Sequence, residues 1–189
     1  MDTRKSRLTR VLASMGLAAA LAVGAVMPTL AADSATLDGT ASLNAGPLDL
    51  DATGPVIFSG TLNGENQTLT TAPGASTITI TDATGSGAGW SLSASATQFS
   101  TEDGNHQLPA DALTINESPV AGVTGEESEL PATTTQATLT STPAVILSAA
   151  EGTGMGKFEV NPTFSLDIPF DAYAGTYEST VTFTLAVTP

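Results

Sequence analysis

Residues 89–97 have the sequence Gly89-Trp90-Ser91-Leu92-Ser93-Ala94-Ser95-Ala96-Thr97, in which apolar and hydroxyl-bearing side chains alternate. Successive side chains of a β-strand point to opposite faces, so this stretch predicts a strand with Trp90 and Leu92 on a buried face and the serines on the other. A half-solvated antiparallel sheet requires such a pattern. The same alternation recurs in three further runs, 77–81, 164–170 and 177–187.

Turn-forming residues separate these runs. Gly, Pro, Asn and Asp supply the backbone angles and local hydrogen bonds that turns need, and they cluster at 44–47, 62–64, 82–85, 103–105 and 174–175. No apolar period of 3.6 residues persists long enough to predict a helix. Many short strands at such spacing predict an all-β fold, an antiparallel β-sandwich that is immunoglobulin-like or related, with long loops.

Two features of the sequence are interpreted as irregular backbone. The tetrad Asp-Ala-Thr-Gly occurs twice, beginning at Asp51 and at Asp82, and both copies are interpreted as turns. Residues 126–135 are first acidic and then rich in Thr, and they predict one of the long loops.

The first 32 residues have the layout of a secretory signal peptide. Four basic residues open the chain, residues 11–27 are apolar and uncharged, and small residues lead up to Ala32. We expect removal of residues 1–32 and export of residues 33–189 as a single secreted domain. A retained membrane helix is the alternative, but an apolar run of about 17 residues is at the short limit for spanning a bilayer.

Charge excludes several classes of function. The chain has 19 Asp and Glu against 5 Lys and Arg, a net charge of −14. Residues 1–32 contain four of the five bases and one acid, so 18 acids and Lys157 remain, a net charge of −17. A nucleic-acid partner is not expected, because phosphate binding needs a basic surface, and no membrane partner is expected after signal removal. No cofactor is predicted, although Ca²⁺ binding stays open because Ca²⁺ prefers oxygen ligands.

Residues suited to catalysis are scarce. The chain has no Cys and one His, so thiol nucleophiles and multi-histidine zinc sites are excluded. His106 lies in a polar turn and is interpreted as an exposed loop residue, and no Gly-x-Ser-x-Gly nucleophile motif is present. Glycoside hydrolysis needs two carboxylates across a cleft, but the one Trp, two Tyr and six Phe stand mostly at core-like positions. We predict that the protein is not an enzyme and assign no catalytic, cofactor-binding or metal-binding residue.

Two segments together resemble the WxL domain, a family of exported bacterial cell-surface proteins. The first is Trp90-Ser91-Leu92, which follows a Gly-rich turn. The second is a distal strand that begins at Tyr177 and continues through Phe183 to Leu185, where the family usually has Trp in place of Phe183. The resemblance covers about residues 78–189 of this acidic chain.

The resemblance implies non-covalent attachment to the cell wall, through peptidoglycan glycan, or to co-expressed surface proteins. The motif residues have two open interpretations, contact with a ligand or a place in the core, and they are Trp90, Leu92, Tyr177, Phe183 and Leu185. For Tyr177 the second interpretation includes a hydroxyl bonded to a nearby backbone group, in the manner of a tyrosine corner.

Charge limits how such a domain can hold a wall. Anionic wall polymers repel a chain of this charge, so attraction needs hydrogen bonds to neutral glycan, a bridging divalent cation or a basic protein partner. The alternative function is a structural subunit of an extracellular assembly, pilus-like or a matrix fibre, built by β-strand pairing. A long unpaired edge strand would favour that alternative, and the oligomeric state is open.

Overall fold

The computed structural model describes residues 35–127, 129 and 133–188. The chain divides into two units, residues 1–41 and 42–189. In the first unit, residues 35–41 are exposed and lack regular secondary structure, and the predicted signal peptide lies outside the described residues. Over the described ranges, no helix has the length and apolar character needed to cross a membrane. The description that follows concerns the second unit.

Within the described ranges, every regular element is a strand and every strand pair is antiparallel. In chain order the strands are β1 (Leu48–Thr53), β2 (Gln67–Thr70), β3 (Thr77–Asp82), β4 (Trp90–Ala96), β5 (Ser100–Thr101), β6 (Leu113–Ile115), β7 (Val120–Glu127), β8 (Ala137–Leu139), β9 (Ala144–Ala149), β10 (Gly156–Val160), β11 (Phe164–Ile168), β12 (Tyr177–Glu178) and β13 (Val181–Val187).

These strands form four sheets in the part of the chain described, with orders β1-β3-β10-β7, β2-β11-β6-β8, β13-β4-β9 and β12-β5. The sheets bury their apolar faces in one common core, so the predicted all-β sandwich is confirmed. Non-sequential neighbours in every sheet mean that long-range pairing, rather than successive hairpins, builds the fold.

Period-two alternation supplies the core from one face of each strand. Ile78 and Ile80 of β3, Phe158 of β10 and Phe164 of β11 are each at most 2% exposed. The intervening Thr and Ser side chains lie on the opposite, partly solvated faces. Among the described residues, each buried side-chain nitrogen or oxygen has a hydrogen-bond partner, as a stable core requires.

Of the two Asp-Ala-Thr-Gly tetrads, only the second is a turn. The Asp82 Oδ1 accepts hydrogen bonds from the Thr84 backbone N (3.0 Å) and from Thr84 Oγ1 (2.7 Å), so the side chain closes the turn. The first tetrad was interpreted wrongly, because Asp51 and Thr53 pair with β3 as part of β1. Pairing with β3 provides hydrogen-bond partners for backbone N–H and C=O groups that, in a turn, would bond to local side chains instead.

Two other predicted segments have different boundaries in the structure. The predicted loop at 126–135 begins too early, because Glu127 pairs with Gly156 of β10 and ends strand β7; residues 128 and 130–132 lie outside the described residues. The run 177–187 is two strands rather than one. The break falls at Thr180, whose backbone N donates to Thr97 Oγ1 (2.8 Å) instead of continuing a sheet ladder.

Candidate functional site

The two motif segments lie side by side in one ladder. Strand β4 carries Trp90 and Leu92, and strand β13 carries Phe183 and Leu185. Leu92 is directly opposite Leu185, and Phe183 is opposite Ala94. Residues about ninety positions apart in the sequence therefore form one continuous apolar surface across two hydrogen-bonded strands.

Trp90 is enclosed in the core. Both Trp90 and Leu92 are 0% exposed. The indole packs against Phe158 with ring centroids 6.4 Å apart and the planes tilted by 53°, a geometry that aromatic pairs favour. Its Nε1 donates a hydrogen bond to the Gly154 carbonyl oxygen at 2.9 Å. No part of the Trp90 side chain is accessible to a ligand in this structure.

The Gly-rich turn before Trp90 lies where the chain passes so close to a neighbouring loop that a side chain would not fit. A Cβ on Gly89 would lie 2.5 Å from the Ala149 carbonyl oxygen, and one on Gly154 would lie 2.2 Å from the Ala149 Cβ and 2.8 Å from Trp90 Nε1. Both glycines also have φ near +75°, a region that side chains disfavour. These glycines therefore shape the Trp90 pocket.

The other motif residues occupy intermediate positions. Tyr177, Phe183 and Leu185 are half-buried and pack against the core cluster. The Tyr177 hydroxyl donates a hydrogen bond to the Tyr173 carbonyl oxygen at 3.0 Å, so the expected bond to a backbone group is present. This bond fixes the loop that leads from β11 to β12.

That loop borders an open groove with a volume of about 750 Å³. Two segments, 56–62 and 172–177, line it together with side chains of β2 and β11. The groove has an apolar base that includes the buried Leu108 and Leu166. Aromatic side chains contribute Phe58, Phe99, Tyr173 and Tyr177 to the lining.

The lining of the groove is uncharged. None of the described residues that border it is Asp, Glu, Lys, Arg or His, and its polar side chains are hydroxyls and the amide of Gln67. This contrasts with a chain of net charge −14. A ligand in the groove would meet neutral polar groups and apolar surface, a composition typical of small-molecule sites.

Tyr173 contributes an exposed aromatic ring to the lining of the groove. Its side chain is 64% exposed, and the His106 imidazole stacks on it with ring centroids 4.0 Å apart and planes within 20°. His106 was expected to be an exposed loop residue, but it is half-buried because this stack covers it. The ring of Tyr173 is therefore supported from one side while it remains accessible.

Hydrogen bonds within the loop at 101–106 hold His106 in place. The Thr101 backbone N donates to the His106 carbonyl oxygen at 2.9 Å. Asp103 accepts hydrogen bonds from Thr101 Oγ1 (2.6 Å) and from the Asn105 backbone and side chain. These bonds, with attraction to His106, lower the pKa of Asp103 below its usual 3.8. Asp103 is thus a charged acceptor that closes the loop beneath the stack.

A second recess adjoins His106. It is lined by Glu102, Asp103 and His106 and shares Ala174 and Thr176 with the groove. Over the described ranges, no group of three or more His, Cys, Asp or Glu side chains is arranged to hold a metal ion.

The aromatic lining was not predicted from the sequence. The aromatic residues were assigned mostly to core-like positions, yet four of them border one groove. Tyr173 carried a usable signal, because it follows Ala172 and precedes Ala174-Gly175 in a segment with no alternation. An aromatic residue in a loop of small residues is not explained by strand packing.

Comparisons with known proteins give one extensive match. The model of the WxL domain, described as surface cell wall-binding, matches residues 27–189. Curated proteins give no significant match. Among solved structures, a family 123 glycoside hydrolase from Clostridium perfringens is similar at 12% identity and a TM-score of 0.36, over 74% of this chain and 25% of that one. The chain therefore spans about a quarter of that structure's length, and a likeness of this size carries no functional inference.

Proposed function

The chain belongs to the WxL family of surface cell wall-binding domains, and from this premise we propose that it is exported and attaches non-covalently to the bacterial cell wall. Residues 1–32 are removed on export, and residues 33–189 form the mature protein. The family description is one of binding rather than of catalysis, and we propose no reaction.

The observation that carries the proposal is the family match from residue 27 to residue 189, which includes both motif segments. The uncharged groove supports it with a physical route to the wall. A mature chain with 18 acids and one base is repelled by anionic wall polymers. Contact through neutral polar and apolar groups leaves the charged surface in solvent. Salt then screens its repulsion from the wall polymers over about 8–10 Å at physiological ionic strength.

We assign the motif residues a structural role within this function. Trp90 and Leu92 are fully buried, so contact with the wall would require the core to open. Tyr177 contributes differently, since it lines the groove and fixes the backbone of Tyr173. In this proposal the motifs build the domain, and the groove next to them makes the contact.

The experiment uses protein purified after export, whose N-terminus is determined by mass spectrometry. We expect the chain to begin at Ala32, at Asp33 or near them. The protein should sediment with isolated cell walls freed of other proteins, while an unrelated acidic protein of similar pI stays in the supernatant. An intact N-terminus on exported protein would contradict signal removal, and failure to sediment would contradict direct wall attachment.

A second candidate function is assembly by strand pairing, and the position of β13 favours it. This strand of seven residues lies at the edge of its sheet, and β4 is its only sheet neighbour in the described residues. Strand edges without a sheet partner are templates for pairing with another chain. Light scattering tests this function: a monomer at micromolar concentration supports the wall-binding module, and concentration-dependent polymers would support assembly.

A further inference from the structure

We propose that the groove binds an uncharged glycan of N-acetylated sugars, with Tyr173 as its stacking surface. This inference rests on the proposed wall-binding function and names the wall component that the groove contacts. It is carried by three features of the described residues: a supported aromatic ring, an uncharged lining and a mixture of apolar and amide groups.

The Tyr173 ring is exposed but constrained. The His106 imidazole stacks on it at 4.0 Å, and the Tyr177 hydroxyl bonds the Tyr173 carbonyl oxygen. A sugar presents an apolar face of C–H groups that packs on an aromatic ring. A ring already held in place loses little conformational entropy when a ligand covers it. Tyr173 is thus a preorganised surface, and His106 is a positioning residue behind it.

The lining selects among wall components by chemistry. An anionic polymer needs a basic partner, and Lys157, the one base of the mature chain, is outside the groove. A plain hexose presents hydroxyls but no methyl group to this largely apolar lining. An acetamido group adds a methyl group and an amide, which suit apolar side chains such as Leu62 and the Gln67 amide. Gln67 Nε2 donates to Asn63 Oδ1 at 2.9 Å, which orients that amide.

The chain offers a matched control for Tyr173. Phe170 lies three residues earlier and is equally exposed, at 64%, but it does not line the groove. Substitution of either residue by Ala removes an exposed aromatic ring from the same loop. Only the Tyr173→Ala variant removes one from the groove, so a difference between the two variants reports on the groove itself.

The experiment titrates exported wild-type protein with β-1,4-linked oligomers of N-acetylglucosamine and, as the matched ligand, with glucose oligomers of the same linkage and length. Binding is followed by calorimetry and by NMR shifts. We expect the acetylated oligomers to bind more tightly. Tyr173→Ala should weaken that binding by about tenfold or more, the scale of a central aromatic contact. Tyr173→Phe and Phe170→Ala should bind as wild type, and emission from the buried Trp90 should show that each variant is folded.

Three results would overturn the inference: equal binding of both oligomers, unchanged affinity in Tyr173→Ala, or no oligomer binding by a protein that sediments with cell walls. In the last case the proposed function survives, and the wall is held at another surface or through another component. NMR shifts confined to segments 56–62 and 172–177 would support the groove independently of any variant. Wild-type protein that fails to sediment with walls would count against the proposed function instead.

Discussion

The indole Nε1 of Trp90 donates a hydrogen bond to the carbonyl oxygen of Gly154, 64 residues further along the chain. The bond joins the first residue of β4 to the loop before β10, and it lies within a core where Trp90 is completely buried. A tryptophan in such a position satisfies its one polar group while it contributes a large apolar surface. The burial of Trp90 and Leu92 supports our proposal that the family motif has a structural role, and the first three predictions below test that assignment.

Substitution of Trp90 should separate packing from hydrogen bonding. Trp90→Ala should lower the free energy of unfolding by about 3–5 kcal/mol, because it leaves a cavity in the core. Trp90→Phe keeps an aromatic ring but leaves the Gly154 carbonyl without this donor, so the loss should be about 1–3 kcal/mol. Urea denaturation followed by far-UV circular dichroism measures both. Unchanged stability in Trp90→Ala, together with lost wall binding, would identify Trp90 as a ligand contact.

Gly154 and Gly152 form a matched pair for the loop that encloses Trp90. Both have positive φ, +75° and +80°, but an added Cβ would overlap Ala149 and Trp90 only at Gly154. Gly152→Ala should therefore cost only the backbone term, about 1–2 kcal/mol. Gly154→Ala adds overpacking and should cost about 2–5 kcal/mol in total. An equal decrease in the free energy of unfolding for both variants, measured by urea denaturation, would show that the close approach of Gly154 to Trp90 does not affect stability.

Phe183→Trp restores the residue that the family usually has in the second motif. Phe183 is half-buried and lies opposite the small side chain of Ala94, so a larger ring has room to extend toward solvent. We expect the stability to change by less than about 1 kcal/mol, as is usual away from a sealed core. Sedimentation with cell walls should be unchanged, because we place the contact in the groove. A marked gain in wall binding by this variant would assign the contact to the second motif.

Strands could be predicted from the sequence where one face of the strand is buried and the other is partly solvated. The alternation around Ile78 and around Trp90 predicted strands β3 and β4 almost to their ends. The same reasoning failed at Asp51, where a turn-like tetrad lies in a strand because β3 pairs with it. Pairing between distant segments is a tertiary effect, and it overrides local preference in sheets.

The candidate groove was beyond prediction for a related reason. Its aromatic residues come from separate segments, since Phe58 and Phe99 are 41 residues apart in the sequence and Tyr173 follows 74 residues after Phe99. No local pattern states that these side chains meet, since the sheet order brings their segments together. The stacking of His106 on Tyr173 likewise depends on two loops 67 residues apart. The burial of Trp90 and Leu92, by contrast, follows from the alternation in strand β4.

The Asp103 carboxylate gives the loop beneath the stack a defined dependence on pH. Hydrogen bonds from Thr101 and Asn105 and attraction to His106 lower the pKa of Asp103 below 3.8 in the folded protein. Its stabilising effect is therefore complete above about pH 4 and is lost as the pH falls through the lowered pKa. The difference in melting temperature between wild type and Asp103→Asn should shrink as the pH falls from about 5 to about 2 and the carboxylate becomes protonated. A difference that grows between about pH 5 and 2 would contradict the assigned hydrogen bonds.

The central claim is that uncharged contacts hold this acidic domain on the wall, and sequential extraction of wall pellets tests it most directly. Exported protein bound to walls is washed with about 1 M NaCl, where charges are screened beyond about 3 Å, and then with EDTA. We predict that most of the protein stays in the pellet through both washes, because neither opposite charges nor a bridging cation holds it. Release of the bulk by NaCl would contradict the account and indicate a basic partner, and release by EDTA would contradict it in favour of a divalent cation.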